Sequence, residues 1–249
     1  MFRLDGKIAL ITGAGQNIGA GIARLMAAQG ATVIVNDYYR DRAEHTVAEI
    51  IASGGFAHTV PFDVSNLEAV TSAFSHIKGS IGPVDILVNN AGTGGPGETM
   101  RMAPFTKTPP DYWSTIINVN LYGMFNCCKA ALDDMIERRW GRIVTISSGA
   151  GQSGLDIGVS TYAAAKAGQN SFMRHLAMEN AQYGITCNTI SMGLVTDNPA
   201  PIQHLADHIP VKRIGRPEDP GYLAVYLASP EANWITGQTI GMNGGSVMI

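Results

Sequence analysis

The residues of this chain best suited to moving a proton are Tyr162 and Lys166, in the stretch Tyr162-Ala163-Ala164-Ala165-Lys166. Four positions apart in an alanine-rich helical pattern, they share one face. A free tyrosine titrates near ~10 and exchanges protons poorly at neutral pH. A fixed ammonium beside it stabilises the phenolate and draws that value down. Such a pair can act as general acid and base on an alcohol or a ketone. The spacing alone is common, and an ordinary half-buried tyrosine near a solvated lysine gives the same letters. The rest of the chain has to supply the context.

The first part of that context is Gly13-Ala14-Gly15-Gln16-Asn17-Ile18-Gly19. An apolar run, Lys7 to Thr12, precedes it and reads as a buried strand. Ile18, Ile22, Leu25 and Met26 follow at helical spacing, and Gly30 ends the pattern. A glycine loop between a strand and a helix N-terminus is a site for a pyrophosphate. Asp37 closes the next strand, Ala31 to Asp37, 18 residues beyond Gly19. An acid there accepts hydrogen bonds from ribose hydroxyls and repels a 2′-phosphate, which favours NAD over NADP. Arg40 and Arg42 stand close enough in sequence to pair with such a phosphate. His204 and His208 flank Asp207 at helical spacing, but no further ligand lies at fixed spacing, so no metal is expected.

Strands and helices alternate along the chain. Arg42 to Ser53 reads as a helix closed by Gly54-Gly55, and Ala57 to Phe62 as the third strand. Asn66 or Ser65 caps a helix over Leu67 to Lys78. Val84 to Val88 is the fourth strand, ending at Asn89-Asn90-Ala91-Gly92. Thr93 to Pro110, rich in glycine and proline, reads as a long irregular loop. Asp111 is expected to cap a long helix running to about Arg139. Gly141 to Ser148 is the fifth strand, ending in two serines, and Ser160 to Tyr183 is the helix of Tyr162. Ile185 to Ser191 is the sixth strand and Gln238 to Met242 the last. Leu194 to Arg213, with three prolines, reads as a second irregular loop. This order predicts an α/β fold with a mostly parallel sheet covered on both faces.

The chain has 249 residues, enough for one large α/β domain, and 45% are hydrophobic, enough for a core. A net charge of −3 and the lack of a Lys/Arg run exclude a nucleic-acid or anionic-membrane surface. No apolar run is long enough to cross a bilayer, and Met1 to Lys7 does not read as a signal peptide. Cys127, Cys128 and Cys187 lack zinc or redox spacing and read as buried thiols of a cytoplasmic protein.

Taken together, the motifs resemble the short-chain dehydrogenase/reductase family from end to end, in the branch that includes 3-oxoacyl reductases. Thr12-Gly13-Ala14-Gly15-Gln16-Asn17-Ile18-Gly19 is similar to its T-G-x-x-x-G-I-G. Asp63-Val64, Asn89-Asn90-Ala91-Gly92, Asn118-Val119-Asn120-Leu121, Ser147-Ser148 and Tyr162/Lys166 follow in family order, then Arg216-Pro217-Glu218-Asp219 and Ile235-Thr236-Gly237-Gln238. The resemblance implies one Rossmann-type domain over residues 1–249. It also implies hydride transfer between a nicotinamide cofactor and a secondary alcohol or ketone.

The roles the resemblance implies fall on named residues. Tyr162 is the acid and base, and Lys166 lowers its pKa and holds the nicotinamide ribose. Ser148, with Ser147 as the alternative, binds the substrate oxygen, and Asn120 holds a water behind Lys166. The cofactor set is Gly13, Gln16, Asn17, Ile18, Gly19, Asp37, Asp63, Val64, Asn90, Ala91, Gly92, Tyr162, Lys166, Gly193, Val195 and Thr196. Gln152, Leu155 and Met192, with Trp113, are the pocket candidates. Homotetramers through Asp111–Arg139, Ser160–Tyr183 and the Gln238–Met242 segment are also implied.

Departures from the family pattern are local. Asn17 stands at its second glycine, a place that asks for left-handed backbone, which asparagine tolerates. Met192 replaces a proline and Asn243 an aspartate. Beside a typical 3-oxoacyl reductase the Thr93–Pro110 loop is longer and the segment after Thr196 shorter. Two other functions compete with this reading. A non-catalytic dinucleotide sensor would have let Asn120, Ser148, Tyr162 and Lys166 erode. The epimerases and dehydratases that also use Y-x-x-x-K are longer chains. Among substrates, a sugar or polyol, a cyclic or steroid alcohol and a 3-hydroxyacyl thioester all remain open.

Overall fold

The computed structural model describes residues 1–92 and 100–248. Its centre is a seven-stranded parallel sheet of order β3-β2-β1-β4-β5-β6-β7. The strands are β1 Ile8–Ile11, β2 Thr32–Val35, β3 Phe56–Thr59, β4 Ile86–Asn89, β5 Gly141–Ser148, β6 Ile185–Met192 and β7 Thr239–Met242. The helices are α1 Asn17–Ala28, α2 Arg40–Ala52, α3 Leu67–Ser80, α4 Pro110–Ile117, α5 Gly123–Arg138, α6 Ser160–Asn180 and α7 Glu218–Ala228. The α/β class and the doubly wound parallel sheet expected from the sequence are what the structure has.

The strands are apolar on both faces because both faces are covered. In β1, Ala9 and Ile11 face the layer of α1, α2 and α7, with Ile22, Met26 and Leu227. Leu10 faces the layer of α3, α5 and α6, with Phe74, Met135 and Met173. Cys127, Cys128 and Cys187 lie in this second layer as free, buried thiols, and burial pushes the Cys128 thiol up to about 12.

The strand order reverses between β1 and β4, which opens a crevice at their C-terminal ends. The crevice is pinned across the reversal. Asn90 donates from its amide nitrogen to the carbonyls of Thr12 and Gly13, both at 2.9 Å. The backbone N–H groups of Asn90 and Ala91 each donate to the Thr12 hydroxyl at 3.0 Å.

Several boundaries differ from expectation. Asp111 does not cap its helix: α4 begins at Pro110 after Pro109, a proline start that needs no side-chain acceptor. The long helix to Arg139 is interrupted by a π turn at Asn118–Tyr122, and its α continuation ends at Arg138. The third strand is shorter than expected and starts at Phe56. The helix of Tyr162 ends at Asn180 in a 3₁₀ turn, and another 3₁₀ stretch, Ala200–His208, crosses the loop expected to be irregular. His204 and His208 sit there, both exposed. Of the long loop, residues 93–99 lie outside the described residues. No described helix is long and apolar enough to cross a membrane.

Candidate active site

One cleft at the sheet's reversal collects most of the expected site residues. Gly13, Gln16, Asn17, Ile18, Gly19, Asp37, Asp63, Val64, Asn90, Ala91 and Gly92 line one part of it. Ser148, Tyr162, Lys166, Met192 and Gly193 line the rest.

The glycine loop is built to approach a ligand. Gly13 has φ +60, and a Cβ there would lie 2.9 Å from Ala91 Cα. A Cβ on Gly19 would lie 2.3 Å from the Gly13 carbonyl oxygen. Asn17 takes φ 48, the left-handed backbone its position asks for. Its Oδ1 is buried and accepts no hydrogen bond among the described residues. Helix α1 has no side-chain cap and no acid in its first turn, so its N–H groups point at the cleft with nothing to neutralise them. This loop fits a pyrophosphate.

Asp37 stands at the end of β2, where a ribose would reach it. Its carboxylate is fixed by two backbone donors: Gly15 N–H at 3.1 Å and Tyr39 N–H at 3.0 Å. Each oxygen keeps room for another donor. The Arg42 guanidinium lies 4.3 Å over the Tyr39 ring and also lines the cleft. The Asp63 side chain accepts from the N–H of Ser65 at 2.9 Å and from its hydroxyl at 2.7 Å.

The proton-handling groups meet on β5, α6 and the π turn. Ser148 ends β5 and shares the cleft wall with Tyr162. Its oxygen accepts from Ala150 N–H at 3.2 Å. Ser147 also borders the cleft, but it is buried and its hydroxyl donates to the Lys166 carbonyl at 3.3 Å. Of the two serines, only Ser148 therefore offers its hydroxyl beside Tyr162. The Lys166 ammonium lies 5.5 Å from the centre of the Tyr162 ring and donates to the Ile146 carbonyl at 2.9 Å.

The electrostatics of this pair differ from expectation. Burial raises the Tyr162 phenol above its ordinary value, and the neighbouring Ser148 hydroxyl opposes that rise. Lys166 does not draw it down. Burial instead lowers Lys166 to about 7, because the ammonium sits in the interior, where the charged form is disfavoured. Asn120 is fully buried and donates from its side chain to the Ile116 carbonyl at 2.9 Å. The point where a Gly92 Cβ would stand is 2.8 Å from Asn120 Oδ1 and 3.5 Å from Lys166 Nζ. Only glycine leaves that gap between the two polar ends open.

Not every expected residue lines the cleft. Thr196 borders a neighbouring depression with Arg24, Arg213 and Arg216, and its hydroxyl accepts from Asn198 N–H at 3.1 Å. Val195 lines another hollow beside Tyr222 and Met242. Trp113 turns aside, stacking on Phe105 at 4.8 Å and donating to the Thr108 hydroxyl. Gln152 and Leu155 lie on the turn after β5, outside the cleft wall. Tyr38, Tyr39 and Phe62 do line the cleft, and the sequence reading missed them. Two of the three directly follow Asp37, a signal that was available.

Comparison with known proteins agrees with this geometry. A family model described as enoyl-(acyl carrier protein) reductase matches residues 13–246. An acetoacetyl-CoA reductase of Shinella zoogloeoides is 38% identical over 250 residues, covering 98% of this chain and 99% of that protein. The chain belongs to the short-chain dehydrogenase/reductase family. It is an oxidoreductase that moves a hydride between a nicotinamide dinucleotide and an alcohol or ketone. A 3-oxoacyl-[acyl-carrier protein] reductase from Brucella melitensis with bound NAD superposes with TM-score 0.91 at 32% identity, over 100% of this chain and 94% of that one. A gluconate 5-dehydrogenase from Burkholderia cenocepacia in complex with NADP and tartrate superposes at 0.89 and 32% identity, over 98% and 96%. The fold thus accommodates either dinucleotide, and the choice rests on the residues around the ribose.

Proposed function

We propose that Tyr162, Ser148, Lys166 and Asn120 carry the proton chemistry of an NAD-dependent secondary-alcohol dehydrogenase or ketone reductase. The observation that carries this reading is the meeting of Ser148, Tyr162 and the buried Lys166 in one wall of the cleft, with the Lys166 ammonium 5.5 Å from the centre of the Tyr162 ring. A nicotinamide bound in the cleft supplies or accepts the hydride. Gly13 to Gly19 and the N-terminus of α1 hold the pyrophosphate, and Asp37 holds the adenosine ribose.

Ser148 donates its hydrogen bond to the substrate oxygen and stabilises the charge that develops there. Tyr162 gives its proton to that oxygen in reduction and takes it in oxidation. Because burial raises the phenol, Tyr162 rests protonated, the form that reduction needs. Lys166 holds the ribose and passes the proton inward, and Asn120 orders the far side of that path.

The experiment is a panel of ketones and secondary alcohols: acetoacetyl-CoA, a 7-oxo bile acid, cyclic ketones and polyols, each with NAD(H) and NADP(H). Wild type is run beside Tyr162→Phe. The expected result is turnover with NAD(H) that Tyr162→Phe lowers by about 10²–10⁴-fold with the Kd for NADH kept. Substantial turnover by Tyr162→Phe overturns the proton assignment. Absence of wild-type turnover on every class overturns the substrate reading. The 3-oxoacyl thioester is the specific alternative, supported by the acetoacetyl-CoA reductase likeness.

Cofactor preference has its own test. Removing a fixed, charged acceptor in Asp37→Ala should weaken NAD binding by about 10–100-fold. It should strengthen NADP binding, because Arg42 in the same cleft wall then meets the 2′-phosphate without an opposing carboxylate. Unchanged NAD and NADP affinities by titration calorimetry would remove Asp37 as the selector.

The whole chain, residues 1–249, is proposed to work as one domain and to assemble as a homotetramer through α4–α5, α6 and the β7 edge. Its three buried thiols suit a cytoplasmic setting.

A further inference from the structure

The π turn at Asn118–Tyr122 is the one place where the long helix opens beside the proposed proton path. Such turns leave a main-chain carbonyl without its ordinary helical donor, and they recur at functional sites. Here the Asn120 carbonyl receives an unusual partner. Gln169, one turn beyond Lys166 on α6, donates to it from Nε2 at 2.5 Å. Gln169 is buried, at 1% exposure. Its Oε1 is also buried and accepts no hydrogen bond among the described residues. An apolar side chain would spare the orphaned Oε1 but would strip the Asn120 carbonyl of this donor, and an orphan costs about 1–3 kcal/mol. Packing alone therefore does not account for a glutamine here.

The neighbouring residue makes a parallel contact. Asn170 donates to the Gly151 carbonyl at 3.4 Å, on the turn that follows Ser148. Helix α6 thus carries Tyr162 and Lys166 on one stretch, then two adjacent amides that reach the segments bearing Asn120 and Ser148.

We propose that Gln169 is a positioning residue: its amide holds the π turn open so that Asn120 Oδ1 faces Lys166 Nζ across the Gly92 gap. This rests on the assignment of Tyr162, Lys166 and Asn120 above. Gln169 touches neither substrate nor cofactor, and it acts through the carbonyl of Asn120. Without its amide the turn is free to relax toward a regular helix, which rotates Asn120 away from Lys166. The Lys166 ammonium then loses a neighbouring acceptor, and the proton path through it slows.

The test compares Gln169→Met, close in volume but without the amide, with Gln169→Glu. Wild type and Tyr162→Phe are run beside them on the substrate of highest turnover in the panel above. Gln169→Met is expected to lower kcat about tenfold, with KM and the Kd for NADH little changed, and to enlarge the solvent deuterium isotope effect. The Lys166 titration, followed by NMR of ¹⁵N-lysine, should move to lower pH. Gln169→Glu keeps the shape, and its carboxyl offers a donor only when protonated. Its kcat relative to wild type should therefore recover as pH falls, a dependence that a purely structural role does not produce.

Unchanged kcat, isotope effect and Lys166 titration in Gln169→Met, with Tyr162→Phe inactive, would overturn the positioning role and leave the proton assignment standing. Full turnover in Tyr162→Phe would instead bring down the assignment on which this inference rests. If Gln169→Met fails to fold, the pH dependence of Gln169→Glu alone decides, and a flat ratio to wild type overturns the proposal.

Discussion

Replacing Lys166 with methionine is expected to cut turnover at least a hundredfold and, in the same protein, to raise the melting temperature at about pH 6. The two effects share one cause. The ammonium is almost wholly buried and donates to a carbonyl, that of Ile146. Burial lowers it from 10.5 to about 7, so below that pH the folded protein holds a charge in its interior at a cost. Methionine removes the charge and fills the volume, although the Ile146 carbonyl loses its donor. The net gain should be on the order of 2 kcal/mol at about pH 6, or several degrees for a chain of this size.

The pH dependence has a definite sign. Between about 7 and 10.5 an unfolded lysine binds its proton and the folded Lys166 does not. Wild-type stability contributed by this residue therefore rises with pH across that window. Lys166→Met lacks the dependence, so its advantage is full below about pH 7 and closes as pH rises toward 10.5. Scanning calorimetry of both proteins from acid to mild base measures it. A lower melting temperature in the variant at about pH 6, or a gap that ignores pH, would show that the buried ammonium is already compensated.

Gly19→Ala should be as damaging to binding as Lys166→Met is to turnover. An added Cβ would stand 2.3 Å from the Gly13 carbonyl oxygen, 2.6 Å from Asn90 Nδ2 and 2.8 Å from Ala14 Cα. Two of these three atoms are backbone, and the third belongs to the amide that ties Asn90 to Thr12 and Gly13. None is the free end of a flexible side chain, so the loop itself must move. The expected cost is about 1–3 kcal/mol of stability, with a loss of NADH affinity of a hundredfold or more. Gly79→Ala in α3 is the control: its Cβ meets nothing within 4 Å. It should bind NADH normally and gain about 0.5–1 kcal/mol. Equal NADH affinity in Gly19→Ala and wild type by fluorescence titration would remove this loop from the cofactor site.

Much of this architecture is legible in the sequence, for physical reasons that differ between residues. The strand–glycine–helix opening is legible because left-handed backbone and close approach restrict residue type so severely at Gly13 and Gly19. Asn17 at φ 48 belongs to the same logic. The face of each strand is not legible, since Ala9, Leu10 and Ile11 are all apolar and both sheet faces are covered. The π turn left no mark either. Asn118 to Tyr122 fits a continuous helix, and the side chain that meets the Asn120 carbonyl, Gln169, lies about fifty positions away. The Tyr162–Lys166 spacing correctly put the two on one helix, but charge balance depends on depth. The expected lowering of the phenol failed because both groups lie in the interior, where burial disfavours the charged form of each. Likewise Ser147 and Ser148 are indistinguishable as letters, and only the alternation of the strand ties the first hydroxyl to the Lys166 carbonyl and leaves the second in the cleft wall with Tyr162.

The crossing at the sheet's centre also sets a timetable. The carbonyls of Thr12 and Gly13 are capped by Asn90, which lies 78 and 77 residues further along the chain. The N–H of Ile8 waits in the same way for the carboxylate of Asp85, 77 residues on. A ribosome adding about 5–20 residues per second reaches those partners roughly 4–16 seconds after the glycine loop is made. Until then β1 has only β2 beside it, with one edge open and the loop's carbonyls unanswered. The nascent chain therefore carries an apolar, half-paired strand as its earliest product. The cradle for the dinucleotide closes only when the fourth strand arrives, so ligand binding cannot assist the first third of synthesis.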